Sequence, residues 1–470
     1  MNNNALQLSI AERRTLLRLG DILGVMIAAL VALRIWALVD GTPFRTDFVI
    51  DNAYWIPILV VVWLLLASVN DFYDLRISSD LSRSLNRLGF ITGQLLIFYL
   101  VVFFLSPRNA LPRLFILYYG ALLFLSILLW RLVLWLLIFK RIGAKRRVVV
   151  VGANWAARTI IQTLKNEAAD DYEVIGIIAN HDPRDTLTDE VPVLGNGKQL
   201  ADIVMQNAIS EIILAYDTSH LPSDIFEGLM ASYEKGIAIT PMPFLYEQIT
   251  GRVPIQHVDR DDWKLILPIE SVSIFDPFVP LKRLMDIGVS LVGISIFIAI
   301  LPFLALAIRL DSAGPIFYTQ ERLGKGGKPF KIIKLRTMIK DAEKHSGPQW
   351  ATERDPRVTR VGAFLRKSRL DELPQFINIL RGEMSLVGPR AERPYFVEQL
   401  AKEIPFYRAR LVVRPGATGW AQVRYPYGRT VEDALIKLQY DLYYIRHQSL
   451  LLDIVIILRT LGTIVSLSGS

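Results

Sequence analysis

Four long apolar runs in the first 140 residues constrain the fold of this chain more than any other feature. They cover about residues 16–39, 54–69, 88–105 and 114–139. A helix needs about 20 mostly apolar residues to cross the hydrocarbon core of a bilayer, and its backbone polar groups must be satisfied within the segment. Hydrophobic residues make up 52% of the chain, which suits a lipid environment. The runs therefore predict a four-helix transmembrane region over residues 1–144.

The basic residues that flank these runs predict the orientation of the helices. Arg13 and Arg14 precede the first run, and five basic residues between positions 140 and 147 follow the fourth. The loop between the first and second runs has one basic residue, Arg45, among three aspartates. Since short loops rich in Lys and Arg stay in the cytoplasm, we predict a cytoplasmic N-terminus, four crossings and a cytoplasmic start for everything after residue 140.

The pattern changes after the fourth run to that of a soluble α/β domain. The stretch VVVVGANWAARTIIQTL, residues 148–164, predicts a buried strand, a turn at Gly152 and a helix, and EVIGIIAN and EIILAY predict further parallel strands. We therefore predict a Rossmann-like domain over residues 145–248 and a linker over residues 249–279. Nucleotide binding and a structural or regulatory role both fit this domain. The second is favoured, because the dinucleotide fingerprint needs three spaced glycines and Gly152 is the only one present.

A fifth apolar run, residues 284–310, has basic residues at both ends. Lys282 and Arg283 precede it, and Arg309 lies at its end. The positive-inside rule then places both ends in the cytoplasm. Pro302 lies inside the run and removes one backbone hydrogen bond from a helix. These features predict a re-entrant helix that breaks at Pro302, and the alternative is an ordinary span kinked by proline.

The segment after this run combines many cations with one adjacent pair of carboxylates. Nine basic residues lie between Arg354 and Arg393, and the net charge of the chain is +8. Guanidinium groups match phosphate oxygens well, so the cluster predicts phosphorylated small molecules and anionic lipid as partners, and no nucleic acid. The pair Asp371 and Glu372 inside the cluster suits phosphoryl transfer, with one carboxylate as nucleophile and the other as a Mg²⁺ ligand. The alternative is a solvated helix start.

The absence of cysteine excludes disulfides and thiolate chemistry. Four motifs then carry a resemblance: KLRTM, DPRVTRVGAFLRKSRLDELPQ, MSLVGPRAERP and RPGATGWAQV. Together they closely resemble the bacterial polyprenyl-phosphate hexose 1-phosphate transferases, the large monotopic phosphoglycosyl transferases. The resemblance covers about residues 278–470. It implies an α/β monotopic catalytic domain over residues 280–470 with a re-entrant membrane helix at 284–310, and the first two domains resemble those of the long members.

The resemblance also implies a reaction and the residues that perform it. Asp371 would attack the β-phosphate of a UDP-hexose, glucose or galactose being the leading sugars, and undecaprenyl phosphate would then accept the phosphosugar, with Mg²⁺ held by Glu372. This would be the initiating step of exopolysaccharide, O-antigen or capsule synthesis at the bacterial inner membrane, with the catalytic domain in the cytoplasm. The implied phosphate or uridine contacts are Lys334, Arg336, Arg366, Arg369, Pro389, Arg390 and Asp441.

Two other classes of protein fit parts of the sequence. A membrane-anchored nucleotide-sugar dehydratase also has four helices followed by a Rossmann-like domain, but the middle domain lacks the glycine fingerprint and the Tyr-x-x-x-Lys pair such an enzyme needs. A transporter or membrane scaffold would be expected to carry charged residues within its spans, and the cations here cluster outside them. The sequence leaves a homodimer open.

Overall fold

The computed structural model describes residues 10–41, 43–74, 77–78, 80–105, 115–136, 145–180, 191–216, 221–255, 277–340, 342, 355–426, 428 and 430–465. The chain divides into two compact units. The first consists of residues 1–216 and 222–240, and the second of residues 217–221 and 241–470.

The first unit begins with helices that correspond to the four predicted spans: α1 (Ile10–Asp40), α2 (Thr46–Asn52), α3 (Trp55–Val69), α4 (Leu81–Leu105) and α5 (Phe115–Leu134). By length and composition, α1, α4 and α5 can each cross a membrane, and α2 and α3 qualify together as a pair bent by 44°. The predicted helical membrane region is therefore confirmed, with its second span bent.

A buried ion pair ties this helical region together. Arg131 on α5 lies 3.0 Å from the Asp21 carboxylate on α1, and the Trp63 indole on α3 donates to the same carboxylate at 3.3 Å. The Arg131 guanidinium also lies 4.0 Å from the centre of the Phe72 ring. Because the buried charges of Arg131 and Asp21 neutralise each other, this ion pair is consistent with a role in packing the helices together.

The remainder of the first unit is a parallel sheet with helices. Its elements are β1 (Arg146–Val151), α6 (Trp155–Glu167), β2 (Tyr172–Ile178), β3 (Val193–Gly195), α7 (Leu200–Gln206), β4 (Glu211–Leu214), α8 (Ser223–Glu234) and β5 (Ala238–Pro241). The strand order is β3-β2-β1-β4-β5, and β1 pairs in parallel with both β2 and β4. The predicted α/β middle domain is confirmed. At Gly152 φ is +131°, and an added Cβ would lie 2.9 Å from the Ala215 carbonyl oxygen, so the first turn requires glycine.

The second unit contains α9 (Met242–Thr250), α10 (Phe278–Asp311), β6 (Phe317–Leu323), β7 (Pro329–Leu335), α11 (Arg360–Lys367), α12 (Gln375–Arg381), β8 (Ser385–Val387), α13 (Pro394–Glu403), β9 (Gly416–Thr418), α14 (Trp420–Arg424), α15 (Val431–Arg446) and α16 (Leu450–Val465). β6 and β7 form an antiparallel hairpin, and β8 pairs in parallel with β9. Val253 and Ile255, at the start of the predicted linker, are buried in the core of this unit; residues 256–276 lie outside the described part of the chain. The bounds of the four predicted domains stay predictions.

Helix α10 runs without interruption through Pro302 over 34 residues. The predicted re-entrant helix with a break at this proline is therefore not confirmed. A helix can continue through a proline because only one backbone hydrogen bond is lost. Packing also supports both halves, since Phe297 and Ile308, on either side of Pro302, are buried in one cluster with Leu335 and Leu365.

Candidate active site

The adjacent carboxylates of Asp371 and Glu372 lie on a short 3-10 turn, Leu370–Glu372, between α11 and α12. Arg369, the residue before this turn, has φ of +54°, in the left-handed region that non-glycine residues adopt at a cost of roughly 1–2 kcal/mol. Strain of this kind is concentrated at functional turns. Helix α12 then begins at Gln375.

Three cations surround the carboxylate of Glu372. Lys334 on β7 donates a 2.6 Å hydrogen bond to Oε1, and the Arg390 guanidinium lies 3.8 Å from the same oxygen. Arg369 lies 3.7 Å from Oε2. Burial alone would raise the pKa of Glu372, but Lys334, Arg390 and Arg369 outweigh burial and lower it. Glu372 is therefore held as a charged carboxylate.

Asp371 has the opposite environment. Its side chain is buried, and its carboxylate has no hydrogen bond or ion pair with any residue in the described part of the chain. Burial and the neighbouring Glu372 charge raise the pKa of Asp371 to about 6, against the opposing effect of Lys334, Arg366 and Arg390. Two adjacent carboxylates with pKa values shifted in opposite directions are suited to different chemical roles.

Strand β7 and helix α12 are locked together, which fixes Lys334 relative to the carboxylate pair. The buried Asn378 side chain on α12 donates to the Lys331 carbonyl at 2.8 Å and accepts from the Ile333 amide at 3.0 Å. Its amide group thus replaces a neighbouring strand at the edge of β7. Because α12 begins three residues after Glu372, this contact sets the distance between Lys334 and the carboxylates.

Arg366 and Arg336, two of the predicted phosphate contacts, form hydrogen bonds with groups of the protein other than the carboxylate pair. The Arg366 Nε donates to the Thr337 hydroxyl at 2.9 Å. Arg336 donates to the carbonyls of Ala313 and Ser312, at 2.5 and 2.7 Å, beyond the end of α10. Carbonyls at a helix C-terminus lack helical donors and attract cations. The predicted phosphate role of Arg336 stays a prediction, and the bonds that it makes here serve the end of α10.

Pro389 and Arg390 lie on a loop that packs tightly against the start of β9. The Gly416 amide donates to the Pro389 carbonyl at 2.8 Å, and an added Cβ at Gly416 would lie 2.2 Å from the Gly388 nitrogen. Only glycine allows this approach. The loop aims the Arg390 side chain at Glu372, where its Nη1 also donates to the Gln422 side chain at 3.2 Å.

Asp441 is not among the partners of the carboxylate pair. It is buried on α15 and lies 2.8 Å from the Arg410 guanidinium. Burial raises the pKa of Asp441 to about 6, while Arg410 opposes the shift. Arg410 was absent from the predicted site residues, because nothing in its local sequence distinguishes it from the other arginines of this region.

The site has oxygen ligands for Mg²⁺ but not a complete set of them. Among the described residues, no group of three or more His, Cys, Asp or Glu could hold a metal ion. Mg²⁺ is commonly held by one or two carboxylates together with substrate phosphates and water. Glu372 would therefore hold the ion only together with the phosphates of a bound substrate.

Two parts of the chain match known protein families. Residues 278–467 match the family described as bacterial sugar transferase, and residues 68–222 match the family described as CoA-binding domain. A UDP-N-acetylgalactosamine-undecaprenyl-phosphate N-acetylgalactosaminephosphotransferase of Aeromonas hydrophila is 44% identical over 48% of this chain and 51% of its own, so this chain spans about half the length of that relative. UDP-glucose:undecaprenyl-phosphate glucose-1-phosphate transferases of Escherichia coli and Klebsiella pneumoniae are each 32% identical, the first over 67% and the second over 68% of both chains.

Proposed function

Because this chain belongs to the bacterial sugar transferases that act on undecaprenyl phosphate, we propose that it transfers a sugar 1-phosphate from a UDP-sugar to undecaprenyl phosphate, with Asp371 as the nucleophile. One observation carries the assignment of the nucleophile. Of the two adjacent carboxylates, Glu372 is neutralised by cations, whereas Asp371 is buried next to the same cations without an ion pair to any described residue. Asp371 is therefore the carboxylate available to attack.

The proposed reaction has two half-reactions. In the first, an Asp371 carboxylate oxygen attacks the phosphorus that bears the sugar, the bond from this phosphorus to the bridging oxygen breaks, and UMP leaves with the electron pair. In the second, a phosphate oxygen of undecaprenyl phosphate attacks the same phosphorus. The bond to Asp371 breaks, which restores the carboxylate and gives the undecaprenyl-diphosphate sugar. The covalent intermediate on the Asp371 oxygen divides one difficult phosphoryl transfer into two easier steps.

The surrounding cations would bind and orient the diphosphate of the donor. Lys334, Arg369 and Arg390 converge on Glu372, and the guanidinium groups of the two arginines match the geometry of phosphate oxygens. Arg366 approaches from α11. Mg²⁺, held by Glu372 together with the donor phosphates, would neutralise charge that develops on the leaving UMP.

Contacts along α10 support a helix that enters the membrane without crossing it. Near its start, Lys282 donates to Asp453 at 2.6 Å and Arg283 donates to the Ile379 and Leu380 carbonyls, both at 2.7 Å. At its end, Asp311 accepts from the Val361 amide at 2.9 Å. Both ends of α10 are thus bound to the same α/β unit. The two ends of a helix that crossed the bilayer would lie on opposite sides of the membrane and could not both contact this unit.

The donor sugar can be identified by direct assay. Glucose and galactose are expected from the family resemblance, and the relatives are named for N-acetylgalactosamine or glucose. The test is to incubate the purified full-length protein with undecaprenyl phosphate, Mg²⁺ and, in turn, UDP-glucose, UDP-galactose and UDP-N-acetylgalactosamine. Release of UMP and of a lipid-linked sugar from at least one donor is expected. If none of the three donors gave UMP and a lipid-linked sugar, the result would contradict the proposal.

A further inference from the structure

A buried arginine lies behind the site and contacts the main chain of Arg390. Arg410 is almost fully buried, and its Nη2 donates to the Arg390 carbonyl at 3.1 Å. The same nitrogen lies 2.8 Å from the Asp441 carboxylate, and Nη1 donates to the Tyr407 hydroxyl at 2.8 Å. Glu392 adds a second carboxylate at 3.9 Å. These contacts hold the guanidinium fork in one orientation.

The main chain at Arg390 is therefore held from two sides. The Gly416 amide donates to the carbonyl of Pro389, and Arg410 donates to the next carbonyl along the chain. The side chain of Arg390 leaves this fixed point and reaches Glu372 and Gln422. A small shift of the carbonyl would move the guanidinium, because a long side chain amplifies a displacement at its base.

We propose that Arg410, itself held by Asp441, is a positioning residue that sets the reach of Arg390 toward the diphosphate of the sugar donor. This inference rests on the proposed function. It also gives Asp441 a role: the carboxylate acts through Arg410 and does not touch the donor. Lysine cannot replace Arg410, because an ammonium lacks the planar fork that bonds the carbonyl, the carboxylate and the hydroxyl together.

The test uses the two half-reactions of the full-length protein. In a ping-pong reaction, kcat/KM for each substrate depends only on the steps of its own half-reaction. We expect Arg410→Lys and Asp441→Asn to lower kcat/KM for the UDP-sugar about tenfold to a hundredfold, the loss that corresponds to one charged hydrogen bond. The value of kcat/KM for undecaprenyl phosphate should change little. A merely structural role would reduce the active fraction and lower both values by the same factor.

Two further variants complete the design. Combined with Arg390→Ala, Arg410→Lys should cause no additional loss, because its effect passes through Arg390. Glu247→Gln is the matched control, since Glu247 forms a buried ion pair with Arg446 on the same helix as Asp441, and no contact joins this pair to Arg390 among the described residues. It should leave both kcat/KM values near those of the wild type.

Equal losses in both half-reactions, or an independent loss from Arg410→Lys in the Arg390→Ala background, would overturn this inference while leaving the proposed function intact. So would an unchanged kcat/KM for the UDP-sugar in both single variants. Failure of the wild type to release UMP would instead overturn the proposed function, and the inference with it.

Discussion

Lys334 donates a 2.6 Å hydrogen bond to Glu372 and not to Asp371, although the two carboxylates are adjacent in the chain. The lysine lies on β7, and Asn378 ties that strand to the helix that follows the carboxylates. The hydrogen bond from Lys334 therefore distinguishes Glu372, which is paired with cations, from Asp371, which has no ion pair with any described residue. The proposed chemistry follows from that difference.

The pH dependence of the first half-reaction should report the ionisation of Asp371. Burial raises the pKa of Asp371 to about 6, and only the carboxylate form can attack phosphorus. We therefore expect kcat/KM for the UDP-sugar to be constant above this pH and to fall about tenfold per pH unit below it. Lys334→Met should move this acid limb to higher pH, because Lys334 lowers the pKa of Asp371. Lys331→Met, at an exposed lysine of the same strand, is the control and should leave the acid limb at its wild-type pH. An acid limb at the same pH in both variants would refute the assignment of this limb to Asp371.

Glu372→Gln should weaken the response to Mg²⁺. The variant keeps the size of the side chain but loses the charge that would hold the ion. Loss of an outer-sphere partner already costs metal sites about 10- to 100-fold in affinity, so we expect the Mg²⁺ concentration for half-maximal rate to rise at least about tenfold. Titration of the rate with Mg²⁺ checks this, and Glu398→Gln, at an exposed position on α13, is the charge-matched control. An unchanged Mg²⁺ titration would remove Glu372 from the metal site.

Arg336→Lys should affect stability more than donor binding. The guanidinium joins two carbonyls beyond the end of α10, and loss of charged hydrogen bonds of this kind costs about 1.5–3 kcal/mol. We expect a lower thermal midpoint in detergent and a KM for the UDP-sugar within about twofold of the wild type. Arg366→Lys provides the comparison, with the larger rise in KM. A large rise in KM for Arg336→Lys without loss of stability would instead support the phosphate contact expected from the sequence.

The two ends of α10 should be accessible from the same side of the membrane. The chain has no cysteine, so single cysteines can be introduced directly at Val279, which is 60% exposed, and at the exposed Lys325. A membrane-impermeant maleimide should label both from the cytoplasmic side in inverted vesicles, and should label Phe44→Cys only from the opposite side. Labelling of positions 279 and 325 from opposite sides would show that α10 crosses the membrane.

Much of the architecture could be predicted because its signals are local. The apolar runs gave the membrane helices, and the β-branched run before Gly152 gave the central strand of the parallel sheet. The Asp371 and Glu372 pair was visible because nine basic residues between Arg354 and Arg393 flank it in the sequence. Each of these signals lies within a short segment of chain, whereas Lys334, which binds Glu372, lies 38 positions before it.

Other parts of the site depend on contacts that no local pattern encodes. Arg336 caps a helix whose last residue lies 25 positions earlier, and Asp441 reaches Arg410 over 31 positions. The strands β8 and β9 have three residues each, which is too short for an alternating pattern to be recognised. The continuity of α10 through Pro302 was likewise not readable, since it depends on packing on both sides of the proline.

The most direct test of the central claim is to trap the covalent intermediate. The purified protein is incubated with a radiolabelled UDP-sugar and Mg²⁺ in the absence of undecaprenyl phosphate, and the labelled peptide is identified by mass spectrometry. We predict a phosphosugar on Asp371, release of one UMP per labelled chain, and no label on Asp371→Asn. Label on a different residue, or continued turnover by Asp371→Asn, would contradict the account.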